Sequence, residues 1–335
     1  MAGRSLGMTR PLESCTVYLG TRDGLSIATL DGESLTVVGQ VAPGNVVRDS
    51  SVHPEDPSDV FVGCGLRGWG LYHTPDAGRT VRNLGFDDQW VWGVTRHPSD
   101  PETVYVGTEP PMLYRSSDGG ESFEPLDGVT AVPSRDQWTF FHEPFYEGHV
   151  HGISIHPDRP ETIYAGVEHG AVLVSTDGGE TWAETLVGSD VHRIAHHPTD
   201  PDHVLVATGA GLHQRFEPGG PWRQTDALRG KYLHSIEFVS TDQWVVYADH
   251  RESPVYRTED GGDSWDAVGE GLPSARPADT LCVHPTAAET LLYAGDDGQE
   301  WSHVYVSTDL GESWQKLNER VPKVWRMAVG AAIAT

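Results

Sequence analysis

Residues 175–182 read Ser-Thr-Asp-Gly-Gly-Glu-Thr-Trp, and closely related octapeptides recur three more times along the 335-residue chain. The other full copies begin at Ser116, Thr258 and Ser307, and two weaker copies cover residues 74–81 and 215–222. At a turn, the Ser/Thr and Asp side chains can accept backbone N–H bonds, the Gly can adopt positive φ, and the aromatic residue can seal a seam between sheets. The octapeptide therefore predicts a structural turn, and we assign its Asp and aromatic residues no catalytic role.

A second motif, the dipeptide His-Pro, gives the length of the repeating unit. It occurs at residues 53, 97, 156, 197 and 284. The spacing is about 43 residues once one missing copy near Val239 and one insertion of about 16 residues are allowed for. Four short strands in a unit of this length, with no sustained helical period, are typical of a propeller blade. We interpret the five His-Pro histidines as structural.

The number of blades follows from the innermost strands, which end just before the His position of each unit. Six units have such a strand, and a seventh inner strand covers residues 324–329. At the other end of the chain, strands at residues 17–21, 25–29 and 35–38 lack an inner partner. Joining the two ends in one blade leaves no open sheet edge. The sequence therefore predicts an all-β fold, a seven-bladed β-propeller of four-stranded antiparallel blades, closed by the C-terminal strand joining the N-terminal blade.

One insertion interrupts this single domain, which we expect to cover residues 16–330 after an N-terminal extension of residues 1–15. The insert, residues 130–148, joins an outer strand to the next inner strand and contains five aromatic residues. Connections of this kind lie over the face on which propellers usually bind ligands. The aromatic residues could line a ligand site or hold the loop in place, and the sequence favours neither.

The octapeptide resembles the Asp-box, or BNR repeat, Ser/Thr-x-Asp-x-Gly-x-x-Trp. This repeat occurs on the β-propellers of sialidases, xyloglucanases, sortilin-type receptors and photosystem II assembly factors. The resemblance covers nearly the whole chain, and it implies either action on carbohydrate or a scaffold for protein interaction. The chain has no Phe/Tyr-Arg-Ile-Pro segment of the sialidase kind, and it has one propeller where such xyloglucanases place their cleft between two. It also lacks the basic top surface of the assembly factors.

The composition restricts the partners that the protein could bind. There are 23 Lys and Arg against 49 Asp and Glu, a formal net charge of -26. This charge argues against nucleic acid and against anionic membranes. Only three of the basic residues are Lys, and an acidic surface nearly free of Lys is typical of proteins kept soluble in concentrated salt. We therefore interpret the protein as that of a halophile, and we expect a monomer. We expect it in the cytoplasm, because no signal peptide, long apolar stretch or Cys-x-x-Cys pair is present.

Aligning the inner strands on the His position gives one column of polar and aromatic residues in otherwise apolar strands. The column contains Arg48, Trp92, His151, His192, His234, Asp279 and Trp325. Such a column indicates a site at the mouth of the central channel rather than a core. Together with a column two residues earlier, it supplies the residues expected to bind a ligand: Arg48, Trp92, His149, Tyr232 and Trp325. A β-bulge would change which residues face the channel.

Three histidines of this column, His151, His192 and His234, belong to consecutive blades, so the ring should bring them together. Three imidazoles with a carboxylate nearby suit Zn²⁺, Mn²⁺ or Fe²⁺ and leave a position for water, which could act as a nucleophile. The alternative is a ring of histidines bonded to water and carboxylates in a narrow channel. The candidate catalytic carboxylates, from these columns and the adjoining loops, are Asp279, Asp190, Glu109 and Glu168.

These features predict a ligand-binding or hydrolytic propeller that uses a His/Asp/Arg/Trp-lined pocket for a small-molecule or carbohydrate-like ligand. Hydrolysis would be glycosidase-like or metal-assisted. The competing hypothesis is a non-enzymatic scaffold for protein interaction or assembly, which would explain why no complete catalytic motif is present. Histidines at three equivalent positions favour the first hypothesis, whereas the fold alone favours neither.

Overall fold

The seven-bladed β-propeller predicted from the repeats is confirmed. The computed structural model describes residues 12–249, 252–275, 279–298 and 300–333. These residues form seven four-stranded antiparallel sheets and contain no α-helix. The 3-10 helices cover Asp127–Ala131, Arg135–Gln137 and Asp226–Leu228. Residues 1–11 of the expected N-terminal extension lie outside the described residues, and the domain boundaries stay a prediction.

Each blade runs outward from an inner strand at the channel to an outer strand at the rim. Blade 1 runs through β28 (Val324–Ala331), β1 (Cys15–Thr21), β2 (Gly24–Asp31) and β3 (Ser34–Val41). Blade 2 runs through β4 (Val47–Val52), β5 (Val60–Cys64), β6 (Leu71–Thr74) and β7 (Arg82–Asn83). Blade 3 runs through β8 (Trp90–His97), β9 (Asp100–Glu109), β10 (Met112–Ser116) and β11 (Glu124–Pro125).

Blades 4 to 7 follow the same plan. Blade 4 consists of β12 (Val150–His156), β13 (Arg159–Val167), β14 (Gly170–Ser175) and β15 (Ala183–Ser189). Blade 5 consists of β16 (Val191–His197), β17 (Asp200–Thr208), β18 (Gly211–Arg215) and β19 (Arg223–Gln224). Blade 6 consists of β20 (Tyr232–Phe238), β21 (Trp244–Asp249), β22 (Val255–Thr258) and β23 (Asp266–Ala267). Blade 7 consists of β24 (Leu281–Val283), β25 (Leu291–Asp297), β26 (Trp301–Ser307) and β27 (Gln315–Pro322).

The C-terminal strand closes the ring inside blade 1, as the sequence predicts. β28 pairs with β1 in an antiparallel ladder that matches Val17 with Val329 and Leu19 with Met327. Thr16 Oγ1 also donates to the carbonyl of Ala331 at 2.9 Å. The inner strands contact one another in the order β28, β4, β8, β12, β16, β20, β24 and back to β28. Closure satisfies the polar edge that β1 would otherwise expose.

Apolar side chains fill the seams between neighbouring sheets. The seam between blades 3 and 4 is typical, since Leu113 of β10, Val150 of β12 and Ile163 of β13 are all fully buried there. This packing follows from sheets that bury both faces, which requires continuous rather than alternating apolar residues in the middle strands. Among the described residues, there is no helix long and apolar enough to cross a membrane.

The octapeptide turns use their polar groups locally. In the copy at residues 175–182, Ser175 Oγ donates to Asp177 Oδ1 at 2.8 Å and accepts from the Gly179 amide at 2.8 Å. Asp177 Oδ1 also accepts from the Thr181 amide at 2.9 Å. Gly179 needs its φ of +97°, and an added Cβ would lie 2.8 Å from Leu126 Cδ1. These bonds hold the turn and leave Asp177 directed at its own backbone.

The His-Pro histidines cap the turns that follow the inner strands. In every copy, the Nδ1 atom accepts a bond from the backbone amide two residues later, as His53 does from Glu55 at 3.1 Å and His156 from Asp158 at 3.1 Å. The bonds at residues 97, 197 and 284 have the same form. A side-chain acceptor at this place satisfies a turn amide that no ladder can pair. This geometry supports their interpretation as structural residues.

A β-bulge recurs at one level of the inner strands and decides which side chains reach the channel. In five strands the ladder skips one residue, namely Arg48, Trp92, His192, His234 or Trp325. In β12 the register shifts just after His151. A bulge interrupts the alternation of a strand, so two consecutive residues can point toward the same side. The bulges therefore add Asp49, Arg193 and Arg326 to the ring that the alignment predicted.

Candidate functional site

The predicted column forms the wall of one small pocket at the channel mouth. The pocket has a volume of about 90 Å³, which is room for roughly three water molecules. It is lined by Arg48, Asp49, Trp92, His151, Gly152, Glu168, His192, Arg193, Tyr232, His234, Asp279, Trp325 and Arg326. All seven residues of the sequence column are in this set. His149, Asp190 and Glu109 lie behind the wall and contact residues that form it.

Arg48 places a cation between two indole rings at the pocket. Its guanidinium carbon lies 4.3 Å from the ring centre of Trp92 and 5.4 Å from that of Trp325. Burial lowers the pKa of Arg48 to about 10, against the opposing effect of the nearby carboxylates, so the group stays charged at neutral pH. Its buried Nε and Nη1 atoms have no hydrogen-bond partner among the described residues. A ligand oxygen in the pocket would satisfy these donors.

His149 links two carboxylates behind the pocket wall. Its Nε2 atom lies 2.8 Å from Glu168 Oε2, and its Nδ1 atom lies 3.5 Å from Glu109 Oε2. The imidazole stacks on Trp92 with ring centres 3.5 Å apart, and Trp92 Nε1 donates to Glu109 at 2.9 Å. Burial lowers the pKa of His149, but the two carboxylates outweigh burial and raise it above its usual value.

Glu168 is the acidic group of this cluster that reaches the pocket. Its side chain is 14% exposed, whereas those of Glu109 and His149 are fully buried. Burial alone would raise the pKa of Glu168, but the charge and hydrogen bond of His149 hold it well below its usual range. Glu168 is therefore an ionised carboxylate that a ligand can touch. Glu109 acts only through His149 and Trp92.

The three histidines expected to share a metal ion line the same pocket but direct nitrogen atoms elsewhere. His151 Nε2 lies 2.8 Å from the carbonyl of Val191, and His192 Nδ1 lies 2.5 Å from the carbonyl of Leu233. His234 stacks on His192 with ring centres 5.0 Å apart. In the described part of the chain, no group of ligand atoms within 4.8 Å of one another combines these three. His151 and His192 each use one ring nitrogen on a backbone carbonyl of the next blade, which the alignment of single strands did not show. Metal binding by this set stays a prediction.

The other two candidate carboxylates are held by partners on opposite sides of the pocket. Asp190 accepts a bond from the Tyr232 hydroxyl at 2.8 Å and lies 3.2 Å from His192 Nε2. Burial raises the pKa of Asp190, but the bond and charge of His192 lower it below its usual value. Asp279 forms an ion pair with Arg326 and lies 3.9 Å from Arg193.

Sequence reasoning missed Glu237, which lies near Arg193 and Arg326. Burial raises the pKa of Glu237, and the two arginines only partly offset this effect. Strict alternation from His234 would turn Glu237 away from the channel, but the bulge reverses the phase. The sequence signal that could have identified Glu237 was a charged residue at a position of the inner strand where an apolar residue is expected.

The insert packs on the ring, as expected from its place in the chain. Phe140 lies with its ring centre 4.7 Å from that of His149, and Phe145 lies 5.3 Å from Trp90. Trp138 is buried and donates to Ser134 Oγ at 2.9 Å, which holds the loop in place. These contacts hold the loop in place, and none of the five aromatic residues of the insert is among the residues that line the pocket or the neighbouring groove. A function for them in binding a ligand stays a prediction.

A wider groove opens above the pocket on the insert side. It has a volume of about 800 Å³ and is lined by Arg22, Gly44, Val46, Leu66, Arg67, Trp69, Trp90, His142, Glu143, Lys323 and Trp325. Arg22 lies 3.2 Å from Glu300, and Lys323 lies 2.8 Å from Asp296. Trp325 lines both the groove and the pocket, so the two are adjacent. Three indoles and three cations meet here on a protein of strongly acidic composition.

The repeats and the geometry define the class: the chain is a β-propeller built on Asp-box repeats. A family model described as BNR/Asp-box repeat matches residues 173–184, and one described as Sortilin, neurotensin receptor 3, matches residues 212–332. The xyloglucanase Xgh74A of Acetivibrio thermocellus is 28% identical over 215 residues, covering 50% of this chain and 25% of that protein. The chain thus spans about a quarter of the length of the curated relatives it matches.

Two solved structures share the fold. The GH74 xyloglucanase from Xanthomonas campestris superimposes with a TM-score of 0.69 at 18% identity, covering 91% of this chain and 52% of that one. The structure of YCF48 bound to D1 peptide superimposes with a TM-score of 0.56 at 16% identity, covering 93% of this chain and 88% of that one. At these identities the likeness concerns the fold alone.

Proposed function

We propose that the protein binds a carbohydrate-like ligand on the channel-mouth face and hydrolyses it there. The observation that carries this proposal is the adjacency of the Trp-lined groove and the polar pocket, which share Trp325 in their walls. Indole faces stack on sugar rings through their apolar surface, and a few convergent polar groups then fix orientation. The similarity to xyloglucanases supports carbohydrate as the class of ligand.

The pocket residues divide into binding and reacting groups. Arg48 supplies unpaired donors for ligand oxygens, while Trp92 and Trp325 hold its guanidinium in place. Hydrolysis needs an acid for the leaving group and a base for water. We assign the base to Glu168, because it lines the pocket and its pKa is held well below the usual range by His149, whereas the pocket carboxylates Asp49 and Asp279 are paired with Arg326.

His192 is the proposed acid. Its Nδ1 proton is committed to the carbonyl of Leu233, so protonation takes place at Nε2, which lies 3.2 Å from Asp190. Burial lowers the pKa of His192, but Asp190 and Glu168 outweigh burial and raise it above its usual value. Asp190 is thus a positioning residue for His192, and Asp279 is paired with Arg326.

The test is a binding and turnover assay with oligosaccharides, beginning with xyloglucan fragments, in a buffer of high salt concentration. Trp69→Ala removes a groove indole that is 37% exposed, so it should weaken binding with little loss of stability. Phe216→Ala is the matched control, because Phe216 is 47% exposed and does not line the groove. Glu168→Gln should abolish turnover while leaving binding detectable. Equal effects of the Trp69 and Phe216 changes would contradict the proposal.

The second candidate function is a scaffold that binds a protein segment. The groove favours it in one respect, since Arg22, Arg67 and Lys323 would attract an acidic extended peptide. The fold likeness to YCF48, which spans most of both chains, is consistent with such a function. Binding of acidic peptides that depends on Arg67, together with no affinity for any oligosaccharide, would favour the scaffold. Under either function, we propose a cytoplasmic monomer in a salt-accumulating cell.

A further inference from the structure

We propose that His149, His151 and Glu168 bind one divalent first-row transition-metal ion beside the channel pocket. Their ligand atoms all lie within 4.8 Å of one another. Glu168 Oε2 lies 2.8 Å from His149 Nε2 and 3.7 Å from His151 Nε2. Ligand atoms that each bind one ion at about 2.0–2.2 Å lie at distances from one another similar to these two separations. This set shares only His151 with the three histidines that the sequence alignment suggested.

His149 is oriented by its surroundings in the way that metal-bound histidines are. Its Nδ1 atom faces Glu109 at 3.5 Å, and this leaves Nε2 directed at Glu168. A carboxylate behind a histidine fixes the tautomer and the ring orientation of a metal ligand. Trp92 stacks on the imidazole and bonds the same Glu109 oxygen, so the ring cannot turn away.

Glu109 favours a positive charge here, which a protonated His149 supplies without an ion and which a bound ion would supply in its place. It is fully buried, and its Oε1 atom has no hydrogen-bond partner among the described residues. Burying a carboxylate with so few partners is costly unless a cation lies close to it. An ion held by His149 would be one imidazole away from Glu109 and would offset this cost.

The donor set restricts the kind of ion. Two imidazole nitrogens and one carboxylate oxygen suit zinc, iron, cobalt or manganese, whereas magnesium and calcium prefer oxygen ligands alone. His151 and Glu168 line the pocket, so an ion that they held would adjoin it and could take water as a further ligand. Coordination would replace the bond of His151 Nε2 to the Val191 carbonyl and the bond between His149 Nε2 and Glu168, and the proton on His149 Nε2 would be released to solvent.

The metal site is a separate claim from the proposed hydrolysis, although both concern one pocket. If both hold, the ion activates the water that Glu168 would otherwise deprotonate directly. The two claims fail separately, because metal binding is measured without a substrate and oligosaccharide binding depends on the groove indoles. The metal experiment therefore uses the protein alone.

The 335-residue chain is treated with a chelator and then titrated with Co²⁺ and Zn²⁺, and with Mg²⁺ for comparison. Calorimetry and the visible absorption of bound cobalt measure the binding. We expect one equivalent of Co²⁺ or Zn²⁺ per chain. His151→Asn and Glu168→Gln should abolish this binding. Glu109→Gln should keep the stoichiometry and weaken affinity about 10–100-fold. His234→Asn is the matched control, because His234 lines the same pocket outside the ligand set.

Several outcomes would overturn the proposal. One is folded wild-type protein that binds neither ion stoichiometrically, and another is a His234→Asn variant that loses binding as fully as His151→Asn. If His169→Asn lost metal binding and His151→Asn kept it, the ion would be bound by Glu168, His169 and Asp190 instead, whose ligand atoms also lie within 4.8 Å of one another. Unfolding curves of each variant identify any loss of fold, and the part-exposed Glu168 provides a second variant if His151→Asn is unstable.

Discussion

Removing β28 by ending the chain after Lys323 should abolish cooperative folding. This strand lies at the channel side of blade 1, with β1 on its other side, so its loss opens the ring from within. Deletion would expose the edge of β1 to solvent and remove the partner of its backbone amides and carbonyls. It would also leave Asp49 and Asp279 without Arg326, which pairs with both.

The structure sets the size of this effect. Val324 and Met327 are fully buried, and each such side chain contributes about 1.5–3 kcal/mol through the removal of apolar surface from water. The ladder between β1 and β28 matches seven residue pairs, and each hydrogen bond in it adds about 0.5–1.5 kcal/mol net. Together these contributions match or exceed the total stability of a typical domain, about 5–15 kcal/mol.

Denaturant unfolding followed by tryptophan fluorescence and circular dichroism measures the effect. The control is a chain that ends after Ile333, which keeps all of β28 and should unfold like the parent protein. The shortened chain should show no sharp transition. If it unfolded cooperatively at the parent midpoint, the assignment of β28 as the closing strand would be refuted.

Three further predictions concern the repeats and the acidic surface. Acid should weaken the fold between about pH 4 and pH 2, because the octapeptide turns lower the pKa of Asp118, Asp177 and Asp260 from 3.8 to about 2. A carboxyl group whose pKa is lower in the folded state stabilises the fold at pH values above its unfolded pKa, and this stability is lost as the pH falls through the folded pKa. Asp177→Asn should therefore reduce the acid sensitivity seen in pH-dependent melting. His156→Ala should cost about 1–3 kcal/mol in denaturant unfolding, because it leaves the Asp158 amide unpaired and removes a buried ring; His53→Ala, at an exposed bond, should cost less. The melting temperature should rise with KCl up to molar concentrations, because salt screens the repulsion between the acidic side chains. The Debye length falls from about 10 Å at 0.1 M to about 3 Å at 1 M. A melting temperature that does not change with KCl would contradict the halophile hypothesis.

The fold was predictable because its signals are local and repeated. The octapeptide turn and the His-Pro turn each keep their hydrogen bonds within a few residues, so their chemistry is visible in a short stretch of sequence. Their spacing gives the length of a blade, and the inner strands aligned on them give seven blades. The unpaired strands at the two ends of the chain then require the closure that β28 and β1 make.

The candidate site was predictable only in part, because contacts between blades decide it. The alignment identified the column that lines the pocket, including Arg48 and Trp325. It could not show that His151 and His192 would turn a nitrogen toward the next blade. Nor could it show Glu109 behind His149, a contact between residues of different blades that follows from how the sheets pack.

The hydrogen bonds between inner strands have a direction that bears on how such proteins can be rebuilt. His151 of blade 4 reaches the backbone of blade 5, His192 of blade 5 reaches that of blade 6, and Asp49 of blade 2 accepts from Val94 of blade 3. In these three cases a blade supplies a side chain that bonds the backbone of the next blade. A blade exchanged for a foreign one would lose a bond on both of its sides, since its own side chain and its predecessor's would each meet an unfamiliar backbone. Modular recombination of this propeller should therefore succeed with pairs of consecutive blades more often than with single ones.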